Sequence, residues 1–228
     1  LSIRVNPLKT TKAGLVKQLE QEGVIASPSL LTDCGLIIER GKNPEQLQMY
    51  REGHFSIQGQ ASQLAALALA PKPGDLVMDM CSAPGGKTAH LAELMENLGE
   101  ILAFDLYEHR LKAVEDNVKR LGIGIVKTAQ MDAAQEKCEY FGTADKILLD
   151  VPCSGLGIIR RKPDIKYKKG LVEFNELRQI QKNILNICSK YLKIEGEMVY
   201  STCTVNPEEN TELIEEFLKS HPEFELLP

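Results

Sequence analysis

Leu76-Val77-Met78-Asp79-Met80-Cys81-Ser82-Ala83-Pro84-Gly85-Gly86-Lys87-Thr88 is the stretch whose reading decides the fold. Leu76–Met80 has the apolar character of a buried strand, Pro84-Gly85-Gly86 is a turn, and a helix is expected from Lys87 to Leu98. A strand that passes through glycines into a helix is the opening unit of a parallel α/β sheet. Outward from it the rhythm repeats. Strands are expected at Ile101–Asp105, Ile123–Lys127, Ala144–Asp150 and Glu197–Ser201. Helices are expected at Ser62–Ala70, Glu108–Leu121, within Leu171–Leu192 and at Pro207–Lys219. The unbroken apolar run before Asp150 suits a strand covered on both faces. The residues ahead of position 56 read differently, as a small α+β module with strands at Ser2–Val5 and Leu36–Glu39 and a helix over Thr11–Glu22, capped by Thr10 or Thr11. The expected organisation is an accessory subdomain over 1–55 and a doubly wound, Rossmann-like domain over 56–228.

The glycine turn is not a phosphate loop. Gly86-Lys87-Thr88 fits the end of that motif, but its leading glycine position is Cys81. The dinucleotide pattern GxGxxG is also missing. Instead, Asp79, Asp105, Asp132 and Asp150 fall at or near four strand ends. A carboxylate at Asp105 is placed for ribose hydroxyls, and Asp132 for an adenine amino group. A ligand with a ribose, an adenine and a cationic centre suits such a rim better than a polyphosphate does. S-adenosyl-L-methionine has those parts.

Two cysteines also sit just past strand ends: Cys153 in Asp150-Val151-Pro152-Cys153-Ser154-Gly155, and Cys203 in Ser201-Thr202-Cys203-Thr204. Ligands of open α/β sheets bind at the carboxyl ends of strands, and a thiolate is the strongest ordinary nucleophile. Strand-end position alone admits either thiol as the nucleophile. Cys34, Cys138 and Cys188 read as small buried hydrophobes. No CxxC or zinc-finger spacing occurs, so no metal site is expected. With reduced thiols, no apolar run long enough for a bilayer and no signal peptide, the chain reads as a cytoplasmic protein, expected as a monomer. A net charge of -5 gives no global sign of nucleic-acid binding. A local basic run does: Arg160, Arg161, Lys162, Lys166, Lys168 and Lys169 follow the Cys153 motif, with Tyr167 among them for stacking. Arg4, Lys9, Lys12 and Lys17 are further candidates for RNA contact.

The motifs Asp79–Thr88, Leu149–Gly155 and Ser201–Thr204, in this order and with Asp105 and Asp132 between them, resemble those of the RNA cytosine-5 methyltransferases of the RsmB/Fmu and NSUN type. The resemblance covers about residues 55–220. It implies a Rossmann-like catalytic domain that uses S-adenosyl-L-methionine, yields S-adenosyl-L-homocysteine and methylates C5 of cytosine in RNA, ribosomal RNA foremost. It implies that Cys203 attacks C6, that Cys153 assists product release, and that Asp150 contacts the base as a protonated donor, which needs a raised pKa. Lys87 or the other surroundings of Cys203 are expected to lower the thiol pKa. Cys81, Ser82, Ala83, Pro84, Gly85, Gly86, Lys87, Asp105, Arg110, Asp132 and Asp150 are expected around the cofactor, and Arg160, Arg161, Lys162 and Lys166 on RNA. The family's catalytic domains continue into a closing strand pair with an Asp-Gly-Phe-Phe-like segment. After the strand-like Phe224–Leu227 this sequence has none, and it begins with Leu, so a fragment is expected.

Overall fold

The computed structural model describes residues 1–167 and 171–227. Two sheets organise it. The second, larger sheet is built from β5 (Leu76–Asp79), β6 (Glu100–Asp105), β7 (Val126–Gln130), β8 (Ala144–Asp150) and β9 (Leu192–Ser201). All are parallel, in the order β7-β6-β5-β8-β9. Successive side chains of a strand face opposite ways, and here both faces are apolar. Val77 and Leu148 meet Leu69, Leu91 and Val114 of helices α3 (Gln60–Leu69), α4 (Gly86–Leu94) and α5 (Glu108–Leu121). Met78, Ile147 and Leu149 meet Leu185 and Phe217 of α6 (Leu171–Cys188) and α7 (Thr211–Ser220). This is the Rossmann-like arrangement expected from the alternating pattern.

Local chemistry sets the boundaries. Helix α5 buries Leu111, Val114, Val118 and Leu121 along one stripe. It carries Glu108 in its first turn and Lys119 and Arg120 in its last, each placed favourably for the helix dipole. Gly122 closes it. Helix α4 stops at Leu94, four residues before the expected Leu98, because Glu96 and Asn97 turn the chain at positive φ. The third strand lies at Val126–Gln130, displaced from the expected Ile123–Lys127: Ile123 instead packs at the end of α5, where its N–H donates to Val118 O. Phe224–Leu227 is not a strand; Phe224 stacks obliquely on Phe217, with ring centroids 5.3 Å apart.

The first sheet is antiparallel, in the order β2-β3-β1-β4, from β1 (Ser2–Val5), β2 (Ile25–Pro28), β3 (Gly35–Arg40) and β4 (Phe55–Ile57). Helix α1 (Lys12–Gln21), capped by Thr11, lays Leu15 and Leu19 over Ile3, Leu36 and Phe55.

A polar joint ties the two sheets. Arg4 on β1 has no solvent exposure. Its Nε and Nη2 donate to the two carboxylate oxygens of Glu93 on α4, both at 2.8 Å. Its Nη1 donates to Gly86 O at 2.9 Å and to Gln58 Oε1. Arg4 is therefore unavailable to RNA, contrary to the sequence reading, because its charge is spent inside the molecule. Lys9 Nζ is likewise engaged by the carbonyls of Glu52 and Arg120, and Lys12 Nζ by that of Asp33. Removing one partner of a buried ion pair strands the other charge. Arg4→Met is therefore expected to lower the unfolding free energy by about 3–5 kcal/mol, measured by urea denaturation. A loss under about 1 kcal/mol would contradict a buried pair of this geometry.

Candidate active site

The strand order turns outward in opposite directions from the β5/β8 junction, which is where ligands of such sheets bind. A cleft of about 220 Å³ opens there. Of the expected cofactor residues, Cys81, Ser82, Ala83, Pro84, Gly86, Lys87 and Asp150 line it, together with Asp79. The rest of its lining is Ile57 at the end of β4, Gln58 and Gly59 just after it, and Ser62 in the first turn of α3, a contribution that the sequence reading missed. Gly85, at φ 94°, backs onto helix α5 instead: a Cβ there would lie 2.9 Å from Val114 Cα. Close helix packing is what that glycine allows.

Each acidic strand end has a distinct setting. Asp79 is buried; its Oδ2 accepts from Thr88 Oγ1 at 2.7 Å, and its Oδ1 has no hydrogen-bond partner in the structure. Burial, with Asp150 adding to it, pushes its pKa up to about 7. Asp105 is buried and accepts from the backbone N–H of Ala83 and Tyr107 and from Arg110 Nη1 at 3.3 Å. Arg110 thus braces Asp105 and also donates to Ala83 O. Asp132, beyond the end of β7, caps its own turn through Ala134 N and Gln135 Nε2. Asp105, Arg110 and Asp132 stand outside the lining of the cleft. Asp150 accepts from Lys87 Nζ at 2.6 Å and from Ser201 Oγ at 3.1 Å. Both its oxygens act as acceptors, one of them in an ion pair. The buried carboxyl with a raised pKa is Asp79.

The two strand-end thiols meet. Pairing of Asp150 with Ser201 across β8 and β9 sets the register. Cys153 and Cys203 then lie with sulfurs 3.1 Å apart, too far for a disulfide near 2.05 Å. Cys203 N also donates to Cys153 Sγ at 3.2 Å. The hydrogen bond from Cys153 is the main cause holding the Cys203 thiol down at about 7; Lys87 assists, while burial and Asp150 oppose. Cys153 is pushed up, by donating that bond and by burial. Cys203 is the more exposed of the two. Of the other cysteines only Cys188 is fully buried; Cys34 is half-buried, and Cys138 is exposed in a surface 3-10 turn, which corrects its reading as a core residue.

The loop after Cys153 stays close to Cys203. Gly157 N donates to Cys203 O at 3.0 Å, and a Cβ at Gly157 would lie 2.9 Å from that oxygen. Arg160, Arg161 and Lys162 are exposed on this loop. The Arg161 guanidinium reaches back over the cleft wall, 2.6 Å from where a Gly59 Cβ would be. The side chains of Lys166 and Tyr167, and Lys168 and Lys169 entirely, lie outside the described residues. Sequence reasoning also passed over Gln181, Glu209 and Asn210, which bind the two thiol turns and carry no motif of their own. Among the described residues no group of three or more side chains could hold a metal ion, and no helix is long and apolar enough to cross a membrane.

Comparison with known proteins agrees with this geometry. Residues 66–228 match the model of the 16S rRNA methyltransferase RsmB/F family. The chain belongs to that family. It is 40% identical over 226 residues to the probable ribosomal RNA small subunit methyltransferase B of Bacillus subtilis (strain 168), covering 98% of this chain and 50% of that protein. The RsmB/F chain thus spans about half the length of the curated relatives it matches. Among solved structures it resembles a methyltransferase homolog protein from Pyrococcus horikoshii, with TM-score 0.83 and 34% identity over 96% of this chain and 69% of the other. It also resembles NSun6 from Pyrococcus horikoshii, solved with SFG, with TM-score 0.85 and 27% identity over 96% and 79% of the two chains.

Two outcomes follow from the ionisation pattern. Alkylation of Cys203 by iodoacetamide is expected to rise with pH to a midpoint near 7, since only the thiolate reacts; peptide mass mapping at graded pH reads it. Asp79 is expected to bind a proton in the folded state that it gives up on unfolding between its ordinary 3.8 and about 7. The folded state then holds more protons there, so this group's contribution to stability falls as pH rises through that window. Asp79→Asn should remove that part of the slope of urea midpoint against pH.

Proposed function

We propose that this RsmB/F chain carries the catalytic half of an enzyme that methylates C5 of a cytosine in small-subunit ribosomal RNA, with S-adenosyl-L-methionine as methyl donor and S-adenosyl-L-homocysteine as product. The observation that carries this reading is the thiol pair, 3.1 Å apart, beside the Lys87–Asp150 pair at the rim of the cleft.

The cleft suits the donor. Asp79 Oδ1 and Ser82 Oγ are buried polar atoms without partners, both belonging to residues of its lining, and such atoms are costly unless a ligand or water meets them. A Cβ at Gly86 would meet nothing nearer than Gln58 Nε2 at 3.8 Å, so the backbone there is open to a ligand. Asp105 and Asp150 supply negative charge to a cationic ligand. Cys81 through Lys87 would hold it, with Asp105 at the ribose and Asp132 at the adenine. When bound, it supplies an electrophilic methyl group.

The chain's own residues then account for the rest. C5 of cytosine is a weak nucleophile. Addition of the Cys203 thiolate to C6 places electron density on C5 and negative charge toward N3. A thiol held at about 7 provides thiolate at neutral pH. Asp150 contacts the base near N3, and Lys87 Nζ, 2.6 Å from Asp150 Oδ2, offsets the negative charge that develops there. After methyl transfer a base takes the C5 proton, and the C5–H electron pair re-forms the C5–C6 double bond. Cys203 leaves C6 as a thiolate, and N3 gives up any proton it took on. Cys153, beside Cys203, assists that release. Arg160, Arg161, Lys162 and Lys166 hold phosphates along the approach to the thiols. A base from a duplex must be extruded to reach them. The setting is a cytoplasmic enzyme acting as a monomer.

Transfer of a tritiated methyl group to 16S rRNA, with DNA as comparison, tests the reading. Cys203→Ala is expected to abolish transfer and covalent capture. Cys153→Ala is expected to accumulate an RNA adduct that survives denaturation. An adduct formed by Cys203→Ala and not by Cys153→Ala would reverse the two roles, and transfer to DNA alone would refute the substrate. Arg160→Ala with Arg161→Ala is expected to weaken RNA binding and flatten its salt dependence while sparing cofactor affinity.

A further inference from the structure

Glu209 is a buried carboxylate in a part of the chain that the reaction above does not use. It ends a 3-10 turn, Pro207–Glu209, and the sequence reading ran a single helix through it. The helix is interrupted at Asn210, at φ −130° and ψ −102°, and α7 begins only at Thr211. That interruption turns two adjacent side chains to different tasks.

Glu209 serves the Cys153 turn. Its Oε2 accepts from Ser154 N at 2.8 Å, the residue after Cys153. The same oxygen accepts from Gln181 Nε2 at 3.0 Å, and that amide also donates to Pro152 O at 2.9 Å, the residue before Cys153. Both backbone neighbours of Cys153 are thereby fixed to Glu209 and Gln181. Asn210 serves the Cys203 turn. Its Nδ2 donates to Thr204 O at 3.1 Å and to Asn206 O at 3.0 Å, and its Oδ1 accepts from Thr202 Oγ1. Both neighbours of Cys203 are thereby fixed to Asn210. A Ser154 Oγ to Thr204 Oγ1 hydrogen bond of 2.6 Å joins the two turns, and Asn206 Nδ2 reaches Glu209 Oε1 at 3.3 Å. Burial acts to raise the Glu209 pKa, but hydrogen bonds from Ser154, Gln181 and Asn206 outweigh it and hold the group below its ordinary value. A charged acceptor roughly doubles the strength of each bond it receives.

We propose that Glu209 and Asn210 are positioning residues that set the distance between the Cys153 and Cys203 sulfurs, Glu209 by gripping the Cys153 turn and Asn210 by gripping the Cys203 turn. A hydrogen bond between sulfurs is sensitive to small displacements. Without the grip, Cys153 swings from Cys203 and no longer stabilises its thiolate. The charged groups acting on Cys203 are Lys87 and Asp150 from α4 and β8; Tyr200 from β9 lies between Cys153 and Glu209 in its electrostatics, feeling both. Loss of the Glu209 negative charge by itself would favour a thiolate and lower the thiol pKa. Loss of position raises it. The two effects have opposite signs, so the experiment separates them.

The test is alkylation of Cys203 against pH in the whole chain carrying Glu209→Gln, with folding checked by thermal melting. The wild-type midpoint is near 7. In the variant it is expected to move toward the ordinary thiol value of about 8.5, lowering the rate at neutral pH roughly tenfold. Asn210→Ala is expected to move it the same way. Should Glu209→Gln not fold, Gln181→Met releases Pro152 O and leaves the Ser154 bond, and the same shift is expected in smaller measure. A lowered melting temperature with an unchanged or lowered midpoint overturns the proposal and leaves Glu209 a purely structural residue. The role of the pair in methyl transfer rests on the function proposed above, but the thiol readout does not. A shifted midpoint in a chain inactive on every RNA would uphold the positioning and remove the function; methyl transfer with an unshifted midpoint would do the reverse.

Discussion

A guanidinium with no access to water governs how this molecule is put together. Arg4 brings one charge from the first sheet into the space between the sheets, and Glu93 brings the opposite one from helix α4. Taking both out of water is costly, and their attraction offsets that cost only if every donor is used well. Here the fork of Arg4 meets both oxygens of Glu93, and the remaining nitrogen meets Gly86 O and Gln58. Gly86 begins α4 and Gln58 walls the cleft. The same side chain therefore joins the sheets and steadies both sides of the cleft. The first sheet is thus part of the cleft's architecture, whatever else it contacts.

A second joint works at the far end of that contact. Asn6 donates to the carbonyls of Gly53 and Leu121, and Arg120 donates to those of Tyr50 and Phe55 while lying over the Tyr50 ring. Helix α5 and the first sheet are thereby tied where α5 ends. Anchored at both α4 and α5, the wall formed by Ile57, Gln58 and Gly59 has little freedom to swing from the glycine turn opposite it.

The large sheet was legible because its strands are apolar runs punctuated by Gly and Asp, and α5 was legible to the residue because stripe, charges and Gly cap agree. The strands β2 and β4 were not. Ile25-Ala26-Ser27-Pro28 ends in proline with exposed positions, and Phe55-Ser56-Ile57 is too short to show alternation. The displacement of β7 has a similar cause, since Val126–Gln130 is mostly polar and half open to solvent. At the site, the strand-end rule found both thiols and Asp150, but nothing local reveals that Asp150 is matched to Lys87, 63 positions away, or Arg4 to Glu93, 89 away. Arg4 reads as a surface cation until its partner is known. Glu209 reads as a first-turn acid after a proline, and only the fold shows that it faces inward.

The register between β8 and β9 has a consequence for the order in which the chain matures. Cys153 follows β8, and Cys203 follows β9, with the whole of α6 between them. Parallel neighbours of this kind close a long loop, which is entropically slow. Until β9 docks, Cys203 has no Cys153 beside it, and its thiol has the reactivity of an ordinary cysteine. Pairing of β9 with β8 is what brings Cys153 to Cys203, so the docking of that strand and the lowering of the Cys203 pKa are a single event.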